Sequence, residues 1–239
     1  MIYRAFIVAA AFLFAVSTAQ HAQAESRKLL VSGFQDLVVD GDIRVVITTG
    51  KGSSGRASGD RRILDLLKLD HTSDTLTIRV QRPPNNEVGV RVSEPLVVTL
   101  TTLQVRNVAL TGNGSIKINA IDRPGNTRLY LNGGGSINVD RMKVDRLFVN
   151  IFGTGEVALN DGTARETTLS IEGSPRIDLA NVASRKISLD LNGNAKIIAQ
   201  AEESATISSQ GSGNITITGT AECLIRRAGN AAIQCPKED

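Results

Sequence analysis

Few side chains in this chain combine the type and spacing that chemistry needs. Beyond the first two dozen residues there is one histidine, His71, and there are two cysteines, Cys223 and Cys235. A nucleophilic thiol would need His71 as its base, whereas the two cysteines can simply bond each other. His71 stands between Asp70 and Asp74 in a polar stretch, which reads as a surface-loop histidine rather than part of a Ser/His/Asp triad. Acids near turns, Asp122, Asp140, Asp145, Asp161 and Asp178, are candidates for acid–base work on a glycosidic bond. They share no repeated phase, and isolated turn aspartates are ordinarily turn formers. Recurrent Gly-x-Gly triplets invite comparison with calcium-binding repeats, but Gly133-Gly134-Gly135-Ser136 runs on into Ile137-Asn138 where a carboxylate ligand belongs. No triplet opens a helical pattern, as a phosphate loop requires. The sequence therefore assigns no catalytic, metal or cofactor residue. Its remaining candidate is a surface patch of two aromatics, Tyr130 and Phe152, on neighbouring repeats.

The elements that would position these residues repeat about every twenty positions. Leu110-Thr-Gly112-Asn-Gly114-Ser-Ile116, Leu131-Asn-Gly133-Gly-Gly135-Ser-Ile137 and Ile151-Phe-Gly153-Thr-Gly155-Glu-Val157 are the clearest copies, with weaker ones around Gly173, Gly193 and Gly211. Each reads strand, glycine turn, strand. Within each copy the aliphatic residues and the glycines share one parity, so a pleated strand points them to one side. The pattern predicts an all-β fold, a parallel β-helix-like solenoid in which each coil buries its apolar side against the next. A sandwich of antiparallel hairpins is the structural alternative. In the solenoid, Gly112, Gly133, Gly153, Gly173, Gly193 and Gly211 stack as a glycine seam, where an inward side chain would strike the opposite wall. Outward turn residues such as Asn113, Asn132, Asn192, Asn194 and Asn214 could form polar ladders.

Residues 25–92 blur the repeat and read as irregular N-terminal coils. Within them Gly50–Gly59 reads as a surface loop and residues 60–68 as a helical turn or two with Ile63, Leu66 and Leu67 on one side. Pro83-Pro84-Asn85-Asn86 breaks the chain. Residues 221–239 read as a C-terminal cap, because Arg227 falls on the inward parity and spoils the apolar pattern. That parity also turns Cys223 and Cys235 inward.

Met1-Ile-Tyr-Arg4, the apolar run 5–16 and Ala22-Gln23-Ala24 have the basic start, apolar middle and small-x-small end of a secretory leader. Cleavage is expected after Ala24, leaving one domain, 25–239. The apolar run of about a dozen residues falls short of the roughly 20 a spanning helix needs, so no membrane insertion is expected after cleavage. Export to the periplasm or the extracellular space is an oxidising destination, where a Cys223–Cys235 disulfide persists. The formal charge is only +3, with 3% aromatic residues and no tryptophan. Such a chain lacks the basic field and the stacking platforms of a nucleic-acid binder.

The Gly-x-Gly-x-Ile-x-Ile/Val cores, above all Gly114-Ser115-Ile116-Lys117 and Gly135-Ser136-Ile137-Asn138, resemble the head GIN domain of putative autotransporter adhesins. So does the opening Phe34-Gln-Asp-Leu37-Val-Val39-Asp-Gly41-Asp-Ile43-Arg-Val45. The resemblance spans roughly residues 30–220. It implies a right-handed parallel β-helix-like solenoid on an exported bacterial protein, with no catalytic residues to carry over. The chain is expected to be a non-enzymatic interaction or adhesion scaffold, its partner an envelope protein or a glycan. The alternative expectation is a carbohydrate-binding or polysaccharide-cleaving protein.

Overall fold

The computed structural model describes residues 25–81 and 95–236. The leader and the break expected at residues 83–86 lie outside the described residues. The protein is a β-solenoid of about six turns with about 20 residues per coil. Its N-terminal elements are β1 (Glu25–Leu29), β2 (Asp36–Asp40), β3 (Arg44–Thr49), β4 (Ser54–Gly59), α1 (Arg61–Leu66), β5 (Leu67–Thr72), β6 (Thr75–Val80) and β7 (Val97–Thr102). The regular coils follow as β8 (Asn107–Thr111), β9 (Ser115–Asp122), β10 (Asn126–Gly133), β11 (Ser136–Gly153), β12 (Glu156–Leu159), β13 (Gly162–Gly173) and β14 (Arg176–Gly193). The last are β15 (Lys196–Gly211), β16 (Asn214–Gly219), β17 (Glu222–Gly229) and β18 (Ala232–Gln234).

Every pairing from β8 onward is parallel, in the register that the repeat demands. Leu131 lies beside Ile151, Ile151 beside Ile171 and Ile171 beside Leu191. Antiparallel pairing, the mark of the sandwich alternative, is confined among the described residues to β1–β4, β4–β7 and the β5–β6 hairpin. Stacking puts like residues on like. Leu110, Leu131, Ile151, Ile171 and Leu191 form one inward column, each at 0–1% exposure, and each fully buried aliphatic side chain contributes about 1.5–3 kcal/mol.

Each coil has a first wall before the glycine turn, a second wall after it, and a short third face that the parity pattern did not show. In one coil Ile137 and Val139 are buried, then Met142 and Val144, then Leu147, Val149 and Ile151. The buried set passes from odd to even numbers and back, so the strand bends on either side of residues 142–144. The same switch recurs at Val182 and Ser184, between Leu179 and Ile187. The expectation that inward residues keep one parity therefore applies to the two walls only. The third face also absorbs changes in coil length. Where the seam spacing shortens from 20 to 18 residues between Gly193 and Gly211, the β14–β15 register jumps from Leu179/Ala199 to Ala183/Gln200.

The seam glycines do stack, for a reason different from the one expected of them. Gly133 and Gly153 have φ of 125° and 120°, a region that L side chains rarely adopt. A Cβ on Gly153 would stand 2.5 Å from the Gly133 carbonyl oxygen, and one on Gly133 equally close to that of Gly112. The obstacle is the backbone of the preceding coil, not the opposite wall. Those carbonyls face the next coil because they accept its N–H groups: Thr154 N donates to Gly133 O at 3.1 Å, Ser174 N to Gly153 O at 2.9 Å and Asn194 N to Gly173 O at 2.8 Å. The polar continuity of the turn is thus carried by main chain. Gly41 and Gly229 extend the seam at its two ends.

At the N-terminal end the coils are out of chain order. β2 pairs with both β6 and β8, and β3 with both β7 and β9. The β6–β7 coil therefore lies outside the β2–β3 coil. Its free edges are covered in turn. β4 runs antiparallel along β7 with β1 beyond it, and β5 runs antiparallel along β6. The Gly50–Gly59 stretch is thus largely strand, not loop. Its small residues fit a covering position, with Ala57 fully buried, and the edge of β7 supplies the hydrogen-bond partners that decide its conformation. Helix α1 starts at Asp60, whose side chain accepts from Arg62 N, the N-cap arrangement. It buries Leu64 at 1% exposure, while Ile63, Leu66 and Leu67, expected on the apolar side, are half-buried.

At the C-terminal end the coils simply continue. β17 stacks on β15, and β18 on β16. The expected cap is one more coil. Cys223 and Cys235 are bonded, with a Cα–Cα separation of 6.5 Å. Arg227 occupies the inward column above Ser209 and donates to the Ala231 carbonyl at 3.1 Å.

Candidate functional site

The residues with chemical capacity do not converge. His71 lies on β5, not in a loop; it is exposed, and its Nε2 is 3.1 Å from the Gly33 carbonyl. Asp70 and His71 are successive strand residues, so they point to opposite faces, and Asp70 pairs with Arg79 at 2.8 Å. Both cysteines are consumed by their bond. Among the described residues no three His, Cys, Asp or Glu side chains come together as a metal site would require.

The turn acids are tied into local structure. Asp145 accepts from Gly125 N at 2.7 Å and pairs with Arg165 at 3.2 Å. Asp140 accepts from Asn160 Nδ2 at 3.2 Å and faces Lys117 at 3.6 Å, while Asp178 accepts from Ala180 N. Asp122 and Asp161 remain exposed, Asp161 offering its carbonyl to Met142 N. Asp122 and Asp145 join Arg123, Lys143, Arg165 and Arg185 along an open groove of about 590 Å³ beside the third face. Opposite charges alternate there, and Arg185 is held by Glu203. Exposed pairs of this kind hold side chains in place but contribute little, about 0–1 kcal/mol each.

The aromatic pair is better built than its sequence suggests. Register sets Arg128 beside Phe148, Tyr130 beside Asn150 and Asn132 beside Phe152, all pointing outward from the first wall. Tyr130 and Phe152 are diagonal neighbours on adjacent strands. Their ring centroids are 5.8 Å apart at 46°, within the range of favourable aromatic contacts. Arg128 sets its guanidinium carbon 5.8 Å from the Phe148 ring centroid, a cation–π distance. Arg128 and Phe148 were not singled out from sequence, although they share the parity of Tyr130 and Phe152. The result is a patch of three half-buried rings and one exposed cation on a flat sheet. The flanking outward positions on the next strand are the polar Thr168, Ser170 and Glu172. Such a patch can stack an apolar ring face or the apolar face of a sugar.

With this geometry in hand, likeness to known proteins is informative. The family model described as "Putative auto-transporter adhesin, head GIN domain" matches residues 33–221. The chain belongs to the head GIN domain family. Among solved structures it is similar to a putative adhesin from Bacteroides fragilis (20% identity, TM-score 0.75, covering 90% of this chain and 94% of that one). A putative lipid binding protein from Parabacteroides distasonis has 17% identity and TM-score 0.69, over 90% and 98% of the two chains. A putative adhesin from Parabacteroides merdae has 19% identity and TM-score 0.64, over 90% and 97%. At these identities the likeness establishes the fold. Among curated proteins no relative matches. This head GIN solenoid has, among its described residues, no helix long and apolar enough to cross a membrane.

Proposed function

We propose that the chain is an exported, non-enzymatic interaction scaffold whose contact site is the outward patch Arg128, Tyr130, Phe148 and Phe152 on the first wall. The patch carries the reading: it is a cluster of three rings and one cation on a flat sheet, flanked on the next strand by the polar Thr168, Ser170 and Glu172. The adhesin description of the family and of two of the neighbours supports an adhesive role. Export is supported by the leader pattern of residues 1–24 and by a disulfide, which persists in oxidising compartments. Periplasmic and extracellular use fit equally.

A carbohydrate ligand is the reading that the ring geometry favours, since paired rings on a flat sheet suit stacking on sugar faces. The test is a glycan array probed with the exported chain and with a Tyr130→Ala/Phe152→Ala variant, alongside a measurement of released reducing ends. Glycan retained by the parent, lost by the variant and not cleaved supports a binding scaffold. Released ends would make the protein an enzyme and overturn the reading. Silence on both counts directs the patch to a protein partner, sought next among envelope proteins.

A further inference from the structure

Among the described residues β17 pairs only with β15 and β18 only with β16, so the last coil presents free strand edges. The other end of the molecule is treated differently: β4 and β5 cover the edges of β7 and β6, and the strands left outermost, β1 and β5, bear the charged residues Glu25, Arg27, Lys28, Lys68 and Asp70. An uncovered edge is a row of unpaired N–H and C=O groups, which proteins ordinarily cover, shorten or charge. Here it is eight residues long and apolar at its centre: Leu224 is 55% exposed and Ile225 42%. Ile225 sits in register with the buried Ile207, so it is a core position that lacks its next coil.

The outward residues of β17 carry a second, independent pattern. Register with Ser204, Thr206 and Ser208 sets Glu222, Leu224 and Arg226 outward. Glu222 and Arg226 are placed symmetrically about Leu224. If two copies of β17 run antiparallel about a twofold axis at Leu224, Leu224 meets Leu224 and each Glu222 meets the other copy's Arg226. Inward, Ile225 meets Cys223 and is covered. Opposite charges directly across an antiparallel pair are stabilising. A register shifted by two residues sets Glu222 against Ala228 in one direction and against Leu224 in the other, so the match is lost and the charges specify one alignment. The disulfide fixes the strand before it meets a partner, which lowers the ordering cost of association.

We propose that this edge is a homotypic interface, through which two copies join end to end by antiparallel pairing of β17. The axis is perpendicular to the first wall, the wall that also carries the aromatic patch. Both patches then lie on one continuous face, their centres separated by ten strand spacings, roughly 50 Å. The dimer would present two equivalent sites to a repetitive surface, whatever ligand the patch takes, and two sites bind such a surface far more tightly than one.

Sedimentation of the exported, disulfide-bonded chain tests this through charge exchange. The parent should show a concentration-dependent monomer–dimer equilibrium. Glu222→Arg and Arg226→Glu should each be monomeric at concentrations where the parent is dimeric, because each sets like charges opposite one another twice. An equimolar mixture of the two variants should dimerise again, since every pair is then complementary. Leu224→Lys, with two lysines meeting at the axis, should also be monomeric, with an unchanged melting curve. A parent that stays monomeric, single reversals that leave the dimer intact, or a mixture that fails to dimerise would each overturn the interface.

Discussion

The two ends of the solenoid solve one problem by different means. A stack of coils leaves its first and last members with an uncovered core and unpaired edges. The N-terminal end is closed by non-covalent structure: β4, β1 and β5 reverse direction to cover the edges, and α1 brings Leu64 into the core. The C-terminal end keeps the parallel pattern to its last strand and fastens the two walls with the Cys223–Cys235 bond. One end finishes in short antiparallel edge strands that carry charged side chains, whereas the other is stiffened and left apolar at the centre of its edge. A scaffold closed at both ends could only be a monomer, and one open at both would polymerise. Pairing confined to the C-terminal edge, as proposed above, stops at two copies.

The sharpest way to break this comparison is to unseat the packed end. Leu64→Ala removes a fully buried side chain and should cost about 2–5 kcal/mol, read by chemical denaturation. Hydrogen exchange should rise first in β4, β5 and β6, leaving β17 unchanged. At the other end, replacing both cysteines by serine should cost about 3 kcal/mol in the chain-entropy model. Here exchange should rise in β17 and β18 while the N-terminal strands keep their protection. If either variant loosens both ends together, the molecule is one cooperative unit and the division is wrong.

A smaller effect distinguishes the ends by pH. Asp60 caps α1, and hydrogen bonds from the Arg62 side chain and backbone, with that residue's positive charge, hold its carboxyl below the usual aspartate range. A carboxylate whose folded pKa is depressed contributes stability above its unfolded pKa, and the contribution is lost as pH falls through the folded value. Asp60→Asn should therefore be less stable than the parent at neutral pH, and the difference should close in strong acid. Urea denaturation along an acid series reads this. The C-terminal seal, a covalent bond, should show no such dependence.

The walls and the seam were legible because they are long. Three inward residues in alternation, as in Leu147, Val149 and Ile151, are enough to reveal period two. The third face was not, since Met142 and Val144 make only one alternation between two bends. Strand β4 was hidden for another reason. Its Ser-Gly-Arg-Ala-Ser-Gly sequence has no strand propensity, and the free edge of β7 makes it a strand. The reversed order of the first two coils was also beyond local reading, because β2–β3 and β6–β7 carry the same alternation whichever lies outside. In the patch, Tyr130 and Phe152 stood out as aromatics on neighbouring repeats. The Arg128–Phe148 partnership required the register between coils, which exact spacing supplies only once the coil length is known.

The account rests on coils so closely stacked that each seam glycine faces the carbonyl of the glycine before it. A matched pair of substitutions in neighbouring turns tests this most directly. Gly153→Ala places a methyl group 2.5 Å from the Gly133 oxygen at a φ of 120°, and thermal melts should show a loss of about 1–3 kcal/mol. Gly134→Ala, in the turn of the preceding coil, meets the movable side chains of Asn113 and Thr154 rather than backbone and should stay within about 0.5 kcal/mol of the parent. Equal stability of the two variants would contradict the stacked seam, and with it the arrangement of the coils.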